Sequence, residues 1–285
     1  MFGKSAIQPH EFERPTLELS GEILRTALQM MVSGSEEHGG IERYIDAVKL
    51  KSAMFRQALV ENDIADLDLE TFKGLCTFMA TVRRRISEHL NEEAFAGMRE
   101  AIIALFDDAE HIDDRIGRFC ERFPNDKKHR WVRDLATEML HNADPERVPL
   151  MNRWVWDASA NTGVIREIWH GDDVDHITIP VANGYGTYIM LREDLSQFLS
   201  DNGIFRDVLY YVDILCAQVY AQYICEQGGS YLRADFQAPE DPMQHTRRLL
   251  GLDGVRPGNG RTRLKSIDGE AFVLDDSNAL KPTEH

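Results

Sequence analysis

Residues 176–191, HITIPVANGYGTYIML, decide how the second half of this chain reads. Ile177, Ile179 and Val181 alternate with Thr178 and Pro180, as a strand with one buried face should. Asn183, Gly184 and Gly186 supply turn chemistry. Residues 187–191 then form a second run of β-formers, and residues 164–169, VIREIW, form one upstream. Three short runs with tight connections predict an antiparallel meander.

Other patterns surround it. Residues 193–200 read as a helix. Residues 205–225 read as a longer one, apolar round most of its circumference and stopped by Gly228 and Gly229, which predicts a buried central helix. Near the C-terminus, Asp268 and Gly269 separate residues 263–267 from 270–274. Asp-Gly favours the two positive φ angles of a type I′ turn, so a hairpin is expected there. Residues 150–158 fit either a helix opened by Pro149 or a strand around Trp154 and Trp156. The Asn161-Thr162-Gly163 stop favours the helix.

Upstream, apolar residues recur every three or four positions. Ile23, Leu24, Ala27, Leu28 and Met31 mark one helix; Ile41, Tyr44, Ile45, Val48, Phe55 and Leu59 mark a second. Phe72, Leu75, Cys76, Met79, Val82, Ile86 and Leu90 predict a third, and Phe95, Met98, Ile102, Leu105 and Phe106 a fourth. Shorter helices are expected over residues 112–122 and 128–141. Short connections make neighbours antiparallel. The expected fold is therefore α+β and mainly α: a flexible arm (1–15), an antiparallel helical bundle (16–143), a smaller α+β domain (144–276) with the meander, central helix and hairpin, and a disordered tail (277–285).

The formal net charge of −16 argues against nucleic acid or an anionic membrane as the main partner, since both require a cationic face. Cys76, Cys120, Cys216 and Cys225 form no Cys-x-x-Cys pair and read as reduced thiols. The N-terminal residues hold no apolar run of leader length, and the apolar run near Val208 is interrupted by Asp213, Gln218 and Gln222. A cytoplasmic protein is expected.

Four groups of residues could carry chemistry. His170, Asp172, Asp173, Asp175 and His176 are an imidazole and carboxylate set suited to a divalent transition metal, with a solvated acidic turn as the competing reading. Asp107, Glu110, His111 and Asp114 share a helical face, and Glu138 and His141 form a Glu-x-x-His step like those of bundle metal centres. The competing readings are an acidic solvent face and a His141 that caps a helix. A basic run from His245 to Lys265 carries Arg247, Arg248, Arg256, Arg261, Arg263 and Lys265 against Asp253 alone. On its glycine-rich loop, Arg256, Arg261 and Arg263 suit anionic oxygens, or the protein's own acidic surface. Arg153, Trp154, Trp156, Arg166 and Trp169 have the composition of an interface anchor, or of a plug between two halves.

No nucleophile motif is readable. The leading expectation is a noncatalytic accessory or scaffold protein acting through a protein partner or a homo-oligomer. The alternatives are a metal-dependent enzyme using the loop from His170 to His176, and an anion or small-ligand sensor.

Overall fold

The computed structural model describes residues 14–36, 39–171, 174–231, 243–252, 261–265 and 271–275, with the side chains of residues 175, 227–231 and both strands excepted. Residues 1–13 of the expected arm, the tail, Asp172, Asp173 and Arg256 therefore lie outside the described residues, as do the side chains of Asp175, Arg261 and Arg263.

Ten α-helices are described: α1 (Gly21–Ser35), α2 (Glu42–Arg56), α3 (Leu69–Thr77), α4 (Glu92–Leu105), α5 (Ile112–Glu121), α6 (Trp131–Ala143), α7 (Val164–Glu167), α8 (Tyr185–Asp201), α9 (Val208–Tyr231) and α10 (Gln244–Leu249). Their starts follow local chemistry. Ser20, Asp68 and Asn91 each accept a hydrogen bond from a backbone N–H three residues on, and so cap α1, α3 and α4. The expected third helix is shorter than its apolar spacing implies: α3 stops at Thr77, and tight turns carry Met79, Val82 and Ile86 into the core.

The expected α+β class and the antiparallel meander are corrected. The protein is 62 % helical, and no sheet is present among the described residues up to 252. Residues 187–191 lie inside α8 because Asp113 of α5 places its carboxylate 3.0 Å from the Tyr185 N–H and nucleates the helix from outside. Burial of Tyr188, Ile189, Leu191, Leu195 and Leu199 then selects the helical period over β propensity. Residues 164–167 wind into α7. Gly163, at φ 120°, lies so close to Val155 that a Cβ would sit 2.7 Å from its carbonyl oxygen, and Val164 and Ile165 donate to Trp154 and Val155. Residues 177–182 are irregular, held where Ile179 donates to Asn161 Oδ1 and Asn161 Nδ2 donates to the Ile177 carbonyl. Residues 150–158 are turns, neither helix nor strand.

At the C-terminal end β1 (Arg261–Lys265) and β2 (Ala271–Asp275) pair antiparallel, with Lys265 opposite Ala271. The turn expected at Asp268-Gly269 lies outside the described residues. Two strands are too few for a layer and do not restore the α+β class.

One continuous core runs from Leu17 to Leu252 and draws on both sides of the expected boundary at residue 143. At its centre α9 packs against α1, α2, α7, α8 and α10. The stretch Val208–Glu226 is long and apolar enough to cross a membrane by length and composition, and half of it is buried inside the protein. Residues 18–20 fasten to the second half: Ser20 donates to the Ile168 carbonyl, His170 to that of Glu18, each at 2.7 Å.

Candidate functional site

The apolar stripe of α2 passes through Tyr44, Val48, Lys51 and Phe55, so a lysine occupies a core position. Asp213 does the same in α9. Burying either charge alone is costly, and each meets an opposite charge on α6. Lys51 Nζ lies 3.0 Å from Glu138 Oε2 and 3.0 Å from the Leu250 carbonyl. His141 Nε2 lies 3.1 Å from Asp213 Oδ2, and its Nδ1 lies 2.8 Å from the Val148 carbonyl. All four side chains are more than nine-tenths buried. Neutral partners complete the network: Asn152 Nδ2 donates to Glu138 Oε1, Asn142 Nδ2 to the Glu138 carbonyl, and Ser52 Oγ to the Asn142 carbonyl.

Burial disfavours the imidazolium of His141, but the Asp213 carboxylate and the Val148 carbonyl outweigh it and hold its pKa above the ordinary value. Both ring nitrogens face oxygen atoms, so the two contacts together favour the imidazolium, which donates to both. Burial also pushes up the thiols of Cys76 and Cys216, with Glu138 and Asp213 adding to the effect, so neither is an activated nucleophile. Beside Lys51, Glu138, Asn152, Trp154 and Leu250 lies a small hollow with room for about one water. A second hollow of similar size, also lined by His141 and Asp213, reaches Tyr188, Arg192 and Cys216.

Of the Glu-x-x-His step, both residues belong to this network, Glu138 paired with a lysine and His141 with an aspartate. Sequence reading missed Lys51 and Asn152 and took Asp213 only as an interruption. The available signal was a charge on an apolar helical stripe.

The other candidates fall elsewhere. His170 and His176 are exposed, at the two ends of a loop whose three aspartate side chains are not described. No group of three His, Cys, Asp or Glu that could hold a metal occurs among the described residues. Glu110 pairs with Arg118, and His111 Nδ1 accepts from the Asp113 N–H at the start of α5. Trp154, Trp156 and Trp169 are 6 %, 0 % and 8 % exposed, so all three are packed inside. The Trp156 indole donates to the Val181 carbonyl, and the Trp154 ring lies 5.9 Å from that of Tyr220. Arg153 makes a forked contact with fully buried Asp134, and Arg166 is half-buried and engaged.

Where the basic run begins, α10 ends in a glycine turn: Leu252 donates to the Arg247 carbonyl and Gly251 to that of Arg248. Gly251 has φ 74°, and a Cβ there would fall 1.7 Å from the Phe78 oxygen. This close approach fixes the end of α10 against Phe78, whose chain leads on into the turn that carries Arg83, Arg84 and Arg85. Arg83 Nη1 donates to the Thr77 carbonyl, while Arg84 and Arg85 are exposed. Comparison with protein-family models, with curated proteins and with solved structures finds no match.

Proposed function

We propose that the chain is a noncatalytic accessory or scaffold protein that binds an acidic protein surface through an arginine edge. The carrying observation is the exposed pair Arg84 and Arg85, on the turn that follows the Phe78 seat of Gly251, on a chain whose net charge is −16. Two adjacent exposed guanidinium groups repel one another, so an opposing acidic surface is favoured beside them. The interior supports the same reading, since its ionisable groups are paired with one another and serve to lock α2, α6 and α9. A second copy is the acidic partner the chain can itself supply.

Sedimentation velocity of the purified chain at low and at physiological salt tests this reading. Self-association or co-sedimentation with polyglutamate that fades as salt rises, and is lost in Arg84→Ala/Arg85→Ala, is the expected result. A chain that ignores polyglutamate and stays monomeric at low salt would remove the reading.

A further inference from the structure

Residues 61–70, ENDIADLDLE, carry five carboxylates and no lysine or arginine. They begin in the π-helical turn Gln57–Glu61 that continues α2, and all five acidic residues are exposed. Asp68 caps α3 and Glu70 pairs with Lys73, whereas Glu61, Asp63 and Asp66 meet no cation among the described residues. Arg99 reaches this stretch but bonds the Leu67 carbonyl. Val60, next to Glu61, is 56 % exposed, so an apolar side chain adjoins the carboxylates. The acidic stretch 107–114 differs: Asp108 is held by Arg115 and Arg147, Glu110 by Arg118, and Asp113 by the Tyr185 N–H.

Arg84 and Arg85 are the complement of this stretch: two exposed guanidinium forks, neither of them ion-paired among the described residues. No ion pair joins the two groups within one chain among the described residues. We infer that Arg84 and Arg85 of one copy dock on Glu61, Asp63 and Asp66 of a second copy, with Val60 covered in the contact. The inference rests on the arginine edge as the binding surface and names its partner. The two surfaces differ, so the contact is heterologous. Each pairing leaves an arginine pair free at one end and an acidic stretch free at the other, and copies add head to tail unless the rotation closes a ring. Exposed ion pairs are individually weak and screened by salt, so the assembly belongs to low ionic strength.

The test is charge reversal with complementation, read by sedimentation velocity of the full chain at low salt. The native chain should form species larger than a dimer that grow with concentration. Arg84→Glu/Arg85→Glu and Glu61→Lys/Asp66→Lys should each be monomeric alone. Their equimolar mixture should assemble again, because each variant then supplies the opposite charge to the other, although both remain net acidic. Glu61→Lys/Asp66→Lys should still bind polyglutamate at least as well as the native chain, which also shows that it is folded. Native assembly that persists in Glu61→Lys/Asp66→Lys would overturn the inference and leave the arginine edge standing. So would a native chain that binds polyglutamate yet stays monomeric, or a mixture of the two variants that stays monomeric. A native chain that does neither would remove the arginine edge and this inference with it.

Discussion

His141 sets its Nε2 3.1 Å from Asp213 Oδ2 and its Nδ1 2.8 Å from the Val148 carbonyl, so its imidazolium has an acceptor at each nitrogen. A folded-state pKa raised above the unfolded one means that the native chain holds this proton more tightly. The pair's contribution is therefore complete below the ordinary imidazole value of about 6.5 and is lost as pH rises through the raised value. His245 acts in the opposite sense. Burial and the charge of Arg248 lower its pKa, so its contribution is present above the ordinary value and lost as pH falls. Urea unfolding midpoints across the pH range should fall on both sides of an optimum. His141→Gln should lose the alkaline limb and keep the acid one.

The Lys51–Glu138 pair is enclosed, and removing one partner leaves the other charge buried. Glu138→Gln should destabilise the chain by about 3–5 kcal/mol. Replacing both, as Lys51→Met/Glu138→Leu, should cost less than the sum of the two single changes, because no orphan charge remains. A double-mutant cycle by denaturant titration measures the difference. Strict additivity would show that the pair is not coupled.

Gly251 and Gly203 both have positive φ, at 74° and 87°, but only Gly251 has backbone where a Cβ would go. Gly203→Ala should cost about 1–2 kcal/mol, the strain of a left-handed residue alone. Gly251→Ala should cost clearly more, and should speed amide exchange in α10 as that helix leaves Phe78. Thermal unfolding with hydrogen exchange separates the two cases; equal costs would mean that the close approach at Phe78 is relaxed at no penalty.

The helical half was legible where apolar spacing and capping residues agree, as at Ser20 with Leu24, Ala27 and Met31. The failure at residues 187–191 has a specific origin. Their β-branched and aromatic content is a weak preference, and the carboxylate that starts α8 comes from Asp113, seventy-two positions upstream. No local window contains that information. Glu138 and His141 were visible as a pair at helical spacing. Their partners were not, because Lys51 and Asp213 meet α6 only through the packing of α2 and α9. The seat of Gly251 on Phe78 is likewise a contact between segments remote in sequence.

The most direct test of the arginine edge is the salt dependence of polyglutamate affinity for the native chain and for Arg84→Ala/Arg85→Ala. Exposed ion pairs are screened within about 8 Å at physiological ionic strength, so the native affinity should fall steadily as salt is added. The variant should bind more weakly at low salt and respond less to added salt. Identical affinity and identical salt response in the two proteins would contradict the account.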